Sequence, residues 1–148
     1  MDDATPPRYS PLDDPLRTDE EILDRIGQLI QPESREWRSL VLFFLDGAAR
    51  TLPVVVPVDD VPEDPEPAII ENLCWILSQV LGKQEPDASV VIMMTRPGEA
   101  KAAATDLIWR DRLASAAAGQ GVRVRLICLA TPDGLLTLSA DQGRRNGT

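Results

Sequence analysis

The segment that most constrains the fold is Ala88–Met94, a near-continuous run of apolar residues. A strand with apolar side chains on both faces has to be covered on both sides, as in the middle of a sheet that carries helices. A Pro-Gly break follows, and the Ala-rich segment Ala102–Gly119 after it is expected to be helical. The next run, Val122–Ala130, again favours a strand. Strand, helix and strand in this order indicate an α/β domain.

A β-hairpin is expected further upstream in the chain. Trp37–Leu45 and Thr51–Val58 are two runs rich in strand-forming residues, and an Asp-Gly turn signal lies between them. Pro53 and Pro57 fall within the second run. Because proline has no N–H group to donate to a ladder, this strand is predicted to lie at an edge of the sheet or to be irregular.

Two further segments complete the expected order of elements. Glu66–Leu81 is apolar around much of its circumference, which predicts a central, heavily buried helix with Trp75 in the core. Leu135–Leu138 predicts a last short strand. With a helix ahead of the hairpin, the order is α-β-β-α-β-α-β-β. The expected fold is a single α/β domain with a mixed β-sheet flanked by helices.

The domain is predicted to span residues 18–139. Thr18 and Glu21 match a capping box that opens an amphipathic helix, which Pro32 ends. Residues 1–17 hold four prolines and several acids and are predicted to be a flexible acidic arm. Residues 140–148 are predicted to be a flexible polar tail.

Composition excludes several classes of function. The net charge of −9 repels phosphate backbones and anionic lipids, so neither nucleic acid nor a membrane is an expected partner. The chain has no histidine, and its two cysteines stand alone in apolar stretches. Histidine is the commonest metal ligand and general base, so we expect no metal, no cofactor and no catalytic residues. The N-terminal residues lack the pattern of a secretory signal, and we expect a cytoplasmic protein.

The block from Val90 to Leu138 resembles the C-terminal domain of the RadC family, which has the JAB/MPN (JAMM metalloprotease) fold. The resemblance rests on the order of strand, Pro-Gly loop, helix, strand, turn and strand. It implies a cytidine-deaminase-like layering of helices and sheet. In that family the strand ends in H-x-H-P-S-G, and P-S-x-x-D begins the helix. The two histidines and the aspartate hold zinc, and a glutamate on an upstream hairpin strand activates the metal-bound water.

The resemblance places most of that site on residues that cannot bind zinc. Met94 and Arg96 fall at the two histidines, Pro97 at the proline, Ala103 at the serine and Asp106 at the aspartate. The hairpin strand that would carry the glutamate holds no carboxylate. A catalytic zinc site needs three protein ligands plus water, so these five residues are expected to line a vestigial cleft. An unpaired carboxylate there is costly, and we expect Arg96 to approach Asp106 within about 4 Å.

The resemblance therefore implies a pseudoenzyme that acts as a protein-interaction or scaffolding module. Trp109, Arg110 and Arg112 on the predicted helix of this block are expected to contact a partner, with Trp109 partly exposed as an anchor. A homo-oligomer is compatible with this function. The alternative is a regulatory domain that binds a small molecule or peptide in the vestigial cleft. An enzyme of unfamiliar chemistry stays a third interpretation.

Overall fold

The computed structural model describes residues 15–84 and 87–138, and its elements follow the predicted order. The segments predicted to be an arm and a tail fall largely outside these ranges. Three helices and five strands are present together with one short 3-10 turn, as follows: α1 (Asp19–Leu29), the 3-10 turn (Pro32–Arg35), β1 (Ser39–Leu45), β2 (Thr51–Val58), α2 (Pro67–Gln84), β3 (Ser89–Thr95), α3 (Ala104–Gly119), β4 (Val124–Thr131) and β5 (Gly134–Thr137).

The strands form one mixed sheet in the order β2-β1-β3-β4-β5. β1 is antiparallel to both β2 and β3, β3 is parallel to β4, and β5 is antiparallel to β4. The prediction that the proline-containing strand lies at an edge is confirmed. β2, β3 and β4 all run in one direction, so the starts of α2 and α3 lie at the same end of the sheet, beyond the carboxyl ends of β2 and β3. This end holds the candidate site.

The sheet is covered on both faces, as the apolar run of β3 predicts. Alternate β3 side chains pack towards α2 and α3 on one face and towards α1 on the other. The two sets are Val90, Ile92 and Met94 on the first face, and Val91 and Met93 on the second. The structure is a single α/β domain with three helices and a mixed five-stranded sheet.

The first helix begins at the predicted capping box. Thr18 Oγ1 accepts from the Glu21 N–H at 3.1 Å, and Glu21 Oε1 accepts from the Thr18 N–H at 3.0 Å. An ion pair of 2.7 Å between Asp19 and Arg125 joins the first turn of α1 to β4. At the other end, the buried Arg35 donates to the carbonyl oxygens of Ile30 and Thr131. α1 is therefore fixed at both ends against the sheet.

The boundary between arm and domain lies earlier than predicted. Leu16 was assigned to the arm, but it is buried in the core beneath α1. Its N–H donates to the Ala49 carbonyl at 2.7 Å. Leu16 lies just before the start of α1, close enough for its apolar side chain to pack into the core under that helix. Leu16 therefore belongs to the domain. Residues 1–14, the rest of the predicted arm, lie outside the described residues.

The prediction that α2 is buried around its circumference is wrong. Trp75 is 55% exposed and Ile76 is 37% exposed, whereas Cys74 and Leu77 are fully buried. α2 belongs to an outer layer, so one side meets the sheet and the other meets solvent. No helix in the described part of the chain is long and apolar enough to cross a membrane.

The β1–β2 turn puts its backbone strain on an alanine instead of on the glycine. Ala49 has a φ of 66°, in the left-handed region, while Asp46 Oδ1 accepts from the N–H groups of Ala48 and Arg50. Gly47 serves a different purpose. A Cβ there would lie 3.0 Å from the Cβ of Asp87, so the glycine permits a close approach to the chain before β3.

We expect Ala49→Gly to stabilise the fold. A left-handed conformation costs an alanine about 1–2 kcal/mol, and glycine avoids this strain. Glycine also has more conformational freedom in the unfolded state, which offsets about 0.5–1 kcal/mol of the gain. The free energy of unfolding should therefore rise by about 0.5–1 kcal/mol in chemical denaturation. Ala48→Gly is the matched control, since Ala48 has no positive φ. An equal effect of both substitutions would show that strain at Ala49 is not the cause.

Candidate functional site

A cavity of about 430 Å3 opens at the end of the sheet where β3 finishes and α3 begins. Four of the five residues predicted for the vestigial cleft line it, and Met94 does not. Met94 is 4% exposed and packs in the core beneath α2 and α3, because its strand position places it inside the sheet layer. We call this cavity the Arg96 cleft, and its lining is Arg38, Glu63, Arg96, Pro97, Glu99, Lys101, Ala102, Ala103, Thr105 and Asp106.

A buried ion pair forms the inner wall of the Arg96 cleft. Arg96 Nη2 lies 2.7 Å from Asp106 Oδ2, and Arg96 Nε donates to Asp106 Oδ1 at 3.0 Å. The prediction that the two side chains approach within about 4 Å is confirmed. The Asp106 side chain is 1% exposed and that of Arg96 is 11% exposed. Two nearly parallel N–H···O contacts of this kind suit the planar guanidinium.

The same pair holds the loop between β3 and α3. Arg96 donates to the carbonyl oxygens of Pro97 at 2.9 Å and Lys101 at 2.8 Å. Asp106 Oδ2 accepts from the Ala103 N–H at 2.8 Å. Ala103 is the N-cap of α3 and has no side-chain acceptor for the first helical N–H groups. Asp106 supplies the other half of a capping box, in which the side chain of the third helical residue accepts from the N-cap N–H.

These contacts set the protonation of Asp106. Burial alone would raise the pKa of this carboxyl. The hydrogen bonds from Arg96 and from the Ala103 N–H, together with the positive charges of Arg96 and Arg38, outweigh burial and hold the pKa below its usual value. The hydrogen bond to Asp106 raises the pKa of Arg96 against the effect of its burial. Both groups are therefore charged at neutral pH.

Arg38 and Glu63 also line the cleft, and sequence reasoning missed both. Arg38 directly precedes β1, and Glu63 lies in the loop before α2. The antiparallel pairing of Ser39 with Thr95 brings the start of β1 beside the end of β3. The predicted hairpin alone did not reveal Arg38, because the sequence does not show that β1 pairs with β3, and no local pattern pointed to Glu63.

The charged side chains of the cleft differ in depth. Arg38 and Thr105 are half-buried, whereas Glu63, Glu99 and Lys101 are exposed at the rim. Within residues 15–84 and 87–138, the structure shows no hydrogen bond or ion pair from the side chains of Arg38 and Lys101. The guanidinium of Arg96 is therefore occupied by contacts within the protein, and the side chains of Arg38 and Lys101 are the lining cations that can bind a ligand.

The prediction that Trp109 is a partly exposed anchor is wrong. Trp109 is fully buried, and its Nε1–H donates to the Glu63 carbonyl at 2.8 Å. Trp109 lies on the inward face of α3. The helical spacing places it on the same face as Asp106, Leu113 and Ala117, and all four residues are buried. The role of Trp109 is to attach the loop before α2 to α3.

The two arginines of the predicted partner surface lie outside the cleft. Arg110 is half-buried and forms an ion pair of 2.8 Å with the exposed Asp111, and Arg112 is exposed. With Trp109 buried, the three residues do not form the expected surface around an aromatic anchor. Ile108, which is 45% exposed, is the large apolar residue that α3 presents to solvent.

Metal-ligand clusters and free cysteines are the remaining groups of chemical interest among the described residues. No group of three or more His, Cys, Asp or Glu side chains that could hold a metal ion is found among them. Cys74 and Cys128 are both buried and free, and they pack on opposite faces of the sheet. Burial raises the pKa of the Cys128 thiol to about 12, so it is not a thiolate at neutral pH.

Comparison of the chain with protein family models, with characterised proteins and with solved structures finds no match.

What the Arg96 cleft can do chemically is judged from the residues that line it. A carboxylate held by a guanidinium below its ordinary pKa is a weak general base, because efficient bases have a pKa near the working pH. The cleft can hold and orient a charged ligand by Arg38, Lys101 and Thr105.

Proposed function

We propose that this protein is a non-catalytic binding domain related to the JAB/MPN fold, and that it recognises a small molecule or peptide in the Arg96 cleft. The carrying observation is the buried Arg96–Asp106 pair at the wall of a cavity of about 430 Å3. Cavities of several hundred Å3 with a few polar groups are typical ligand sites. The pair fixes the cleft, and Arg38 and Lys101 supply charge for recognition.

The placement of this pair supports the relation to the JAB/MPN fold. The resemblance aligns Arg96 and Asp106 with two positions where that family holds zinc. Arginine carries a permanent charge and has no lone pair for a metal. A guanidinium that neutralises the aspartate would take the place of a metal dication in a domain that has lost hydrolysis. The order of elements and the mixed sheet with helices on both faces also support this relation.

An NMR ligand screen tests the proposed function. The 15N-labelled chain is titrated with amino acids, short peptides, nucleotides and organic acids, and amide shifts are mapped onto the structure. We expect shifts at residues 97–106 and at Arg38, and we expect Arg38→Gln to weaken them. Trp75→Ala, far from the cleft in the sequence and exposed on α2, is the matched control. Shifts that cluster elsewhere, or a panel that leaves the cleft unchanged, would contradict the proposal.

The second candidate function is the protein-interaction or scaffolding module. The observation that favours it is the exposed pair Trp75 and Ile76, two large apolar side chains side by side on α2. Exposed aromatic residues of this kind are frequent anchors at protein interfaces. Sedimentation of the wild type and of Trp75→Ala/Ile76→Ser compares their self-association. If both proteins sediment as monomers, the hypothesis that the chain forms a homo-oligomer through this surface is wrong.

A further inference from the structure

We infer that the ligand of the Arg96 cleft is a zwitterion, with its carboxylate at Arg38 and its ammonium group at Glu63 and Glu99. An amino acid or a short peptide with both termini free has this chemistry. The inference rests on the proposed function, because it names the ligand class of the same cleft.

The charges that line the cleft are balanced. Arg96 and Asp106 neutralise each other at 2.7 Å. Two cations, Arg38 and Lys101, and two carboxylates, Glu63 and Glu99, are left. A ligand with a single charge can be matched only by the lining groups of the opposite sign and leaves the other two unmatched. A ligand with both charges can place each one against its complement.

The difference in depth orients such a ligand. Arg38 is half-buried, and the half-buried Thr105 in the first turn of α3 lies in the same lining. A guanidinium binds a carboxylate with two N–H donors, and a hydroxyl adds a third. Glu63 and Glu99 are exposed at the rim, where a hydrated ammonium group keeps part of its water. The carboxylate should therefore lie inside and the ammonium outside.

The residues that would meet the two charges are held by backbone contacts. The Arg38 carbonyl accepts from the Val61 N–H at 3.3 Å, which ties the start of β1 to the loop before α2. The Glu63 carbonyl accepts from the Trp109 indole at 2.8 Å, which ties that loop to α3. The positive and negative sides of the cleft are thus connected through the buried core. Preorganisation of this kind lowers the cost of binding.

The test uses trialanine, its N-acetyl derivative, its C-terminal amide and free alanine as probes. Calorimetry gives affinities at low salt, and amide shifts of the labelled chain show that each probe occupies the cleft. We expect trialanine to bind about tenfold more tightly than either blocked peptide, since each block removes one charged contact. Free alanine distinguishes a site for amino acids from a site for peptides.

Variants assign the two ends of the ligand. Arg38→Gln should weaken trialanine binding and abolish the difference between trialanine and its amide. The Glu63→Gln/Glu99→Gln double variant should abolish the difference between trialanine and its N-acetyl form. Arg112→Gln, an exposed cation of α3 outside the cleft, is the matched control. Circular dichroism of all variants checks that the fold is kept.

The outcomes separate this inference from the proposed function. N-acetyl-trialanine that binds as tightly as trialanine, with shifts at the cleft, would identify an anion site. The zwitterion would then be wrong while the cleft remains a binding site. If the C-terminal amide binds as tightly as trialanine, with shifts at the cleft, the cleft is a cation site. The zwitterion would again be wrong while the cleft remains a binding site. If neither trialanine nor alanine shifts the cleft, the zwitterion is overturned, and the broader ligand screen decides the proposed function separately.

Discussion

Asp106→Ala is expected to lower the free energy of unfolding by about 3–5 kcal/mol, because it leaves the buried guanidinium of Arg96 without its counter-charge. The Asp106 side chain is 1% exposed and accepts hydrogen bonds from Arg96 and from the Ala103 N–H. Arg96→Ala should cost about 1–3 kcal/mol, since it leaves the carboxylate unsatisfied. Chemical denaturation of the three proteins measures both effects.

Two controls separate the buried pair from ordinary surface charge. Asp111→Ala breaks the exposed Arg110–Asp111 pair and should change stability by less than about 0.5 kcal/mol. The double variant Arg96→Met/Asp106→Leu removes both charges together. It should be more stable than Asp106→Ala alone, because neither charge is then left unpaired. Indistinguishable midpoints for wild type and Arg96→Ala would show that the pair does not stabilise the fold.

The pH dependence of stability follows from the same pair. The pKa of Asp106 is lower in the folded protein than the unfolded value of about 3.9, so the unfolded state binds this proton more readily. The stabilisation is fully present above about pH 4 and is lost as the pH falls through the folded pKa. Asp106→Asn should therefore lose less stability than wild type on acidification below this pH. Parallel curves would contradict the lowered pKa.

Trp109→Ala is the second substitution with a large expected effect, about 3–5 kcal/mol. The indole is fully buried between α3 and the rest of the core, and its N–H donates to the Glu63 carbonyl. Trp109→Phe keeps much of the apolar contact and should lose about 1 kcal/mol from the missing hydrogen bond, plus a part for the smaller ring. Thermal or chemical denaturation measures both variants.

Trp75→Ala is the matched control for this prediction. Trp75 is 55% exposed, so its removal should change the free energy of unfolding by less than about 0.5 kcal/mol. Tryptophan fluorescence gives an independent check. Trp109→Phe should remove a blue-shifted, buried component, and Trp75→Phe a solvent-exposed one. A larger stability loss for Trp75 than for Trp109 would contradict the observed burial of the two residues.

Much of the fold could be predicted because its central strand carries an unambiguous pattern. The apolar run of β3 requires cover on both faces, and the prolines of β2 place that strand at an edge. The Arg96–Asp106 contact could also be predicted, since a carboxylate enclosed in a cleft needs a positive charge beside it. The start of α1 after Thr18 followed from a local hydrogen-bond motif that involves four residues.

The two tryptophans show where sequence reasoning failed. α2 is so rich in apolar residues that its buried stripe, which includes Leu73, Cys74 and Leu77, does not stand out from Trp75 and Ile76. Arg110 and Arg112 follow Trp109 on α3, and these two charged neighbours suggested that the tryptophan is exposed. The spacing of Trp109 to Leu113 and Ala117 was the better signal, because burial follows the helical face rather than the adjacent residues.

Arg38 and Glu63 could not have been found from local patterns. The two residues are 25 positions apart, and α2 and β3 separate both of them from Arg96 in the chain. Only the pairing of β1 with β3 and the packing of Trp109 on the loop before α2 bring them to one cavity. Tertiary contacts of this kind carry no local sequence signature.

The prolines of β2 also limit how copies of this chain can associate. Residues two apart in a regular strand direct their backbone groups to the same side, so Val55 and Pro57 share one edge, and Pro53 lies in the irregular part of the pairing between Thr51 and Val55. Proline is accommodated where its missing N–H would face away from the neighbouring strand. The free edge of β2 then offers Val55 as the one N–H donor along this stretch, which is a poor template for another strand. The prolines thereby protect the β2 border of the sheet against edge-to-edge pairing with a strand of another copy.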